Sequence, residues 1–328
     1  MISRLRSKLI SLHRIAAEMR FVSRPEPNPM VFEKLMRVWD QRSQARDISL
    51  SLETLTAGSI AGVHPLSDWR SCGENEYVLH MHSCVFANFE IRLFLPKGAT
   101  RLVIYLPGSL TSVDQIFDVT DSNFHLRDLA IRNNIGLCSW NWPMQGDRLQ
   151  SGIYRNAAGH DQLAKEYVRI FPILGTSLFA EYLVEMKACL TAIVAFVGQN
   201  HEVIVAGWSQ GGWFSYFAPL LHPAVKRVTA AGSCAAYRDL LAEGCGHIHG
   251  YFMYPFFSGA SFDLEDVCRE TASRVPLHIV CGDDDRGCLN ATIQRIKGIP
   301  GVTVSVLPGY GHSFTGAIRE IVTRDLFS

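Results

Sequence analysis

From Arg101 onward, short apolar runs with almost no polar interruption alternate with longer segments of helical period. "RLVIYL" (101–106), "IGLCSW" (135–140), "EVIVAGW" (202–208), "RVTAAGS" (227–233), "PLHIVCG" (276–282) and "VTVSVLP" (302–308) are too short and too uniformly apolar to be strands with one wet face. Strands of this kind are buried on both sides, and helices between them imply parallel pairing. Residues 178–197 place Phe179, Leu183, Met186, Leu190, Ile193 and Val197 at spacings of three and four, one face of a helix. Further helices are expected around 122–133, after residue 209, near 289–297 and from about 314. The fold class is α/β, with a mostly parallel central sheet flanked by helices.

Upstream, "EYVLHMHSCVFANFEIRLFLP" reads as two strands joined by a short turn. Residues 1–75 read as an N-terminal helical extension, broken by the proline-rich "SRPEPNPM" (23–30), and 76–328 as the main domain. Two stretches, 143–175 and 234–275, have Gly, Pro and polar clusters and are expected to be irregular insertions at the carboxyl edge of the sheet.

Within this frame one turn stands out. "VIVAGWSQGGWFSYF" (203–217) passes from an apolar run to a helical pattern across Ser209, which lies between Gly207 and Gly211. A strand that turns sharply into a helix strains the turn residue, and small neighbours give the backbone room. The turn exposes the serine oxygen and aims the first N–H groups of the helix at the same point. A serine that only capped the helix would not need glycines on both sides.

A nucleophilic serine needs a base, and the base an orienting carboxylate. Of twelve histidines, His312 in "LPGYGHSF" follows the end of the last expected strand and precedes the last helix. "PLHIVCGDDDRGC" sets three aspartates just past another strand end. Asp285 is far enough along the turn to point back at the histidine; Asp283 and Asp284 are the alternatives.

The order Ser209, Asp285, His312, on these elements, resembles that of the α/β-hydrolase superfamily over about residues 77–328. The resemblance implies an oxyanion hole made by the backbone N–H groups of Gln210 and of Ser109 in "LPGSL" (106–110), with Leu110 the fallback for the second donor. Pro107 stands where the superfamily often has histidine. The segment from Gly246 to Asp285 is similar to dienelactone-hydrolase-like and acetyl-xylan-esterase-like members, which suggests a compact ester substrate. It implies a serine hydrolase cleaving a carboxylic ester through an acyl-enzyme. The same machinery would serve an acyltransferase, thioesterase or peptidase, and a ligand-binding protein without turnover is the reading from another class.

"YFMYPFF" (251–257) is either packed core or a substrate wall, with Leu110, Phe252 and Phe256 the candidate pocket residues. His80-x-His82 and His247-x-His249 could ligate metal but lack further ligands, so no metal is expected. No phosphate or dinucleotide loop is present, and no cofactor is expected. Lys+Arg and Asp+Glu are both 31, so no global field favours nucleic acid. Nine cysteines without CxxC spacing fit free thiols in a reducing cytoplasm. The longest apolar-leaning stretch, 178–197, holds Glu181, Glu185 and Lys187, which argues against a membrane span. The basic N-terminal segment, with Ile2, Leu5, Leu9 and Leu12 at helical spacing, fits packing on the domain or a homo-oligomer contact, with a membrane-surface or organelle-targeting role the competing reading.

Overall fold

The structure is a computed structural model. It describes residues 52–53, 56–57, 59–60, 62–109, 111–118, 125–143, 145, 148, 171, 176–236, 238–239 and 262–327. The strands are β1 (Val63–Pro65), β2 (Arg70–Gly73), β3 (Glu76–Ser83), β4 (Phe89–Phe94), β5 (Arg101–Leu106), β6 (Gly136–Trp140), β7 (Glu202–Trp208), β8 (Val225–Ala231), β9 (Leu277–Gly282) and β10 (Val302–Leu307). The helices are α1 (Val113–Phe117), α2 (Leu126–Arg132), α3 (Leu178–Val197), α4 (Gln210–Ser215), α5 (Ala218–Leu221), α6 (Leu264–Arg274), α7 (Asn290–Ile296) and α8 (Gly316–Phe327).

All ten strands form one sheet in the order β1-β3-β4-β6-β5-β7-β8-β9-β10, with β2 paired to β3. From β6 to β10 every pairing is parallel, while β1 to β4 run antiparallel at one end. This is the expected α/β sheet. Inner strands alternate their side chains between two cores. Leu102, Ile104, Val203 and Val205 face the side covered by α3 to α7, and Val103, Tyr105, Ile204 and Ala206 the side covered by α2 and α8. Burial on both faces is why these runs carry almost no polar alternation.

Local chemistry sets the helix ends. Ser177 Oγ accepts from Ala180 N at 3.1 Å to start α3, and Gly198, with φ of +85°, stops it. Two expectations need correction. The stretch 234–275 is not irregular throughout, because α6 occupies its end: Asp263 and Asp266 form a capping box, and Leu264, Val267, Cys268 and Thr271 bury one face at helical spacing. Residues 62–73 are also not part of a helical extension. "GVHP" and "RSCG" lack helical period, and as β1 and β2 they pair with β3. The N-terminal segment, Phe252, Phe256 and most of 143–175 lie outside the described residues.

The sheet order puts its switch at β5. The chain runs from β5 outward to β6, then returns to β7 on the other side of β5. Connections leaving β5 and β7 therefore depart in opposite directions, and a crevice opens between their carboxyl ends. Ser109 follows β5, and Ser209 follows β7.

Candidate functional site

Ser209 joins β7 to α4 with φ +54° and ψ −116°, a backbone conformation costly for any residue with a side chain. Its N–H donates to the Ala231 carbonyl at 2.8 Å, and its carbonyl accepts from Trp213 N at 2.9 Å, so both sides of the turn are held. The flanking glycines are required by contact. A methyl at Gly207 would lie 2.2 Å from the Gly211 carbonyl, and one at Gly211 would lie 1.9 Å from the Leu106 carbonyl oxygen.

His312 lies in the loop between β10 and α8, and Asp285 in the loop after β9. The two loops are stitched together. Asp283 N donates to Leu307 O at 3.1 Å, Asp284 N to Tyr310 O at 3.1 Å, and Gly309 N to Asp283 Oδ1 at 2.7 Å. As a result His312 Nδ1 is 2.8 Å from Asp285 Oδ1, and His312 Nε2 is 2.8 Å from Ser209 Oγ. A carboxylate can only accept, so Nδ1 carries the proton and Nε2 presents its lone pair to the serine hydroxyl.

Burial separates the three neighbouring aspartates. Asp285 is buried and also accepts from Gly287 N at 2.7 Å, whereas Asp283 and Asp284 are exposed. Asp283 holds the histidine loop through Gly309, and Asp285 meets the ring itself. The Trp208 ring packs against His312 with centroids 4.9 Å apart and against Phe314 at 5.4 Å, closing one side of the imidazole.

The loop after β5 runs directly beside the serine. A methyl at Gly108 would come within 3.4 Å of Ser209 Cβ and 3.0 Å of the Trp208 ring. Ser109 follows it, and Gln210 opens α4, where the first backbone N–H groups have no helical partner. Leu110 lies outside the described residues.

Sequence reasoning missed two side chains that brace this loop, Trp142 and Gln145. Trp142 Nε1 donates to the Pro107 carbonyl at 3.1 Å, and Gln145 Nε2 to the Gly108 carbonyl at 2.9 Å. Both sit just after β6, Trp142 immediately before and Gln145 within the stretch 143–175 read as irregular, where no periodic signal marks them.

The paired histidines of β3 are engaged separately. His80 Nδ1 contacts Glu90 at 3.3 Å, while His82 Nδ1 meets Asn88 at 2.8 Å and its Nε2 meets Cys84 Sγ at 3.6 Å. His247 and His249 lie outside the described residues. Among the described residues no group of three or more His, Cys, Asp or Glu could hold a metal ion, and the eight cysteines there are free thiols. No helix among them is long and apolar enough to cross a membrane. A groove of about 480 Å³ opens at the antiparallel end, but its arginines are paired, Arg127 with Glu76 and Arg92 with Asp114, and neither Ser209 nor His312 lines it.

No protein-family model matches the chain, and no curated protein matches it. Solved structures do. Acetyl xylan esterase 1 from Thermoanaerobacterium sp. JW/SL YS485 superposes with a TM-score of 0.53 at 14% identity, over 93% of this chain and 96% of that one. An acetyl xylan esterase from Paenibacillus sp. R4 gives 0.52 at 12% identity, over 85% and 92%. An S-formylglutathione hydrolase from Agrobacterium tumefaciens gives 0.50 at 14%, over 81% and 100%. At such identities the likeness is one of fold. The chain has the α/β-hydrolase fold, as acetyl-xylan-esterase-like proteins do.

Proposed function

We propose that this protein is a serine hydrolase that cleaves carboxylic esters through an acyl-enzyme. One observation carries the reading: an unbroken line of hydrogen bonds from buried Asp285 through His312 to Ser209 Oγ, ending on a strained strand-to-helix turn. A serine that only needed to cap a helix would gain nothing from that backbone conformation.

In this reading Ser209 Oγ bonds to the acyl carbon as its proton passes to His312 Nε2. Asp285, holding Nδ1–H, steadies the imidazolium that results. The carbonyl oxygen becomes an oxyanion facing the backbone N–H groups of Gln210 and Ser109. The bond to the alcohol breaks as Nε2 returns the proton to the leaving oxygen. Water then repeats the sequence on the acyl-enzyme and releases the acid. Asp285 Oδ1 accepts from both His312 Nδ1 and Gly287 N, which fixes the carboxyl group's orientation toward the ring.

The ester class is supported by the acetyl xylan esterases that share this fold. The test is turnover of a short chromogenic acetyl ester, with intact mass after exposure to a fluorophosphonate. Turnover and a single adduct in the wild type, both absent from Ser209→Ala, are expected. A wild type inert to both would leave a binding protein on this fold. A panel of acyl donors and acceptors separates hydrolysis from acyl transfer, since the two differ only in what attacks the acyl-enzyme.

A further inference from the structure

Beneath the turn runs a chain of amides that the proposed chemistry has not used. Trp142 N donates to Gln145 Oε1 at 3.3 Å. Gln145 Nε2 then donates twice, to the Gly108 carbonyl at 2.9 Å and to Gln210 Oε1 at 3.2 Å. Gln145 and Gln210 are 2% and 3% exposed, so water does not stand in for these bonds. The orientation of each amide follows from the next. Turning Gln145 over would set its oxygen against the Gly108 carbonyl and its nitrogen against Trp142 N; turning Gln210 over would set two donors face to face.

Gly108 and Gln210 belong to the two separate connections that flank Ser209, one after β5 and one after β7. Gln145 is one side chain bound to both. Its own segment is anchored away from the turn. Arg148 forms a bidentate pair with Glu185 of α3 at 2.7 and 2.8 Å and donates to the Asn141 carbonyl at 2.8 Å, and Tyr182 donates to the Pro143 carbonyl at 2.8 Å. α3 thus supports the segment, the segment supports Gln145, and Gln145 sets the spacing of the two loops.

We infer that Gln145 is a positioning residue that holds the backbone donors of Ser109 and Gln210 at the separation an oxyanion needs, with the Gln210 side chain as its second grip. The inference rests on the hydrolase reading above. Donors aimed at a developing charge work only if they are in place before the charge appears, and small displacements are costly in rate. Gln145 touches no reacting atom. Its effect is therefore confined to the charged tetrahedral state and leaves the binding of neutral ester alone. Among the described residues Gln210 Nε2 is a buried donor with no partner, so within them the far end of the relay depends on Gln145 for its placement.

The test compares Gln145→Met and Gln145→Glu with wild type, measuring kcat and KM on a chromogenic ester, the Ki of a boronic acid that forms a tetrahedral anion on serine, the fluorophosphonate labelling rate, and Tm. Methionine keeps the volume and removes both donors. Glutamate keeps shape and the acceptor for Trp142 N but faces the two oxygens that Gln145 Nε2 holds either as a repelling carboxylate or, protonated, with a single O–H that can hold only one of them, and it carries the test if the methionine variant fails to fold. For both, kcat is expected to fall about 10- to 100-fold with KM little changed, and Ki to rise in parallel. Gln210→Met should share the defect, and the double variant should be little worse than the poorer single one. Wild-type kcat and Ki in a folded variant overturn the inference, whatever Tm does, and so does rescue by glutamate. A wild-type protein that neither labels nor turns over overturns the hydrolase reading instead.

Discussion

His278 Nε2 lies 2.9 Å from Ser305 Oγ, and its Nδ1 lies 3.0 Å from Asp325 Oδ2, so the molecule holds a second Ser–His–Asp line with nearly the spacing of the first. The two differ in backbone. Ser305 is inside β10, in regular extended pairing with β9, and no helix begins beside it. It has neither a strained turn nor free helical N–H groups to receive an oxyanion. A fluorophosphonate should therefore modify Ser209 and leave Ser305 untouched, and Ser305→Ala should leave ester turnover unchanged. Peptide mapping of the adduct decides this; an adduct on Ser305 would show that the hydrogen-bonded line alone activates a serine here.

The three adjacent aspartates should separate cleanly in kinetics. Asp285→Asn leaves the geometry but favours the wrong imidazole tautomer, and kcat should fall on the order of 10⁴-fold. Asp284 is exposed, and in Asp283→Asn the oxygen that accepts from Gly309 N is retained, so both should stay close to wild type. Steady-state kinetics on the three variants checks the ranking. A crippled Asp284→Asn with an active Asp285→Asn would refute it.

The Arg148–Glu185 pair is completely buried, with the Arg148 guanidinium 4.1 Å from the centre of the Phe89 ring. Burial pushes the Glu185 carboxyl above the usual carboxylate range, and Arg148 is what pulls it back. Arg148→Met should cost about 3–5 kcal/mol in denaturant unfolding, because it strands a buried acid. Arg148→Met with Glu185→Met should recover most of that stability. If Gln145 is placed through this pair, activity should remain low in the double variant even where stability returns.

Acid stability should bear the mark of the second Ser–His–Asp line. Burial works to raise the Asp325 carboxyl, but hydrogen bonds with His278 and Thr229 and the nearby charges of His278 and Arg227 outweigh it and hold it below its ordinary value. A carboxyl depressed in the folded state stabilises the fold above its unfolded pKa of about 3.9 and loses that contribution as pH falls through the lower folded value. Asp325→Asn should therefore melt below wild type at neutral pH, with the gap closing under acid conditions beneath about pH 4. Melting curves across pH check it. A constant gap would mean that packing rather than charge ties α8 to the sheet.

What could be read from the chain follows from which physics each part obeys. Leu178–Val197 and Glu202–Trp208 coincide with the expected segments because their apolar pattern is dictated by burial along the whole element. The proximity of Ser209, Asp285 and His312 was legible as position, since each comes just after a strand and parallel strands bring such loops to one edge. Which aspartate faces the ring was legible from distance along the turn, which favoured Asp285 with Asp283 and Asp284 as alternatives, and burial of Asp285 against the ring agrees. Helix α6 was hidden behind the glycines and aromatics that precede it. Gln145 had no signal at all: a side chain working through two carbonyls and one amide leaves no period and no motif.

The left-handed backbone at Ser209 has a consequence for how such a chain can drift over generations. A residue at φ +54° and ψ −116° sits where glycine rests without penalty and serine does not. Ser209→Gly should therefore raise Tm above wild type while abolishing ester turnover, whereas Ser209→Ala should not gain the same stability. Any lineage in which turnover ceased to matter would be drawn by stability alone toward glycine at this position. A serine here is the state that only selection on chemistry would hold in place.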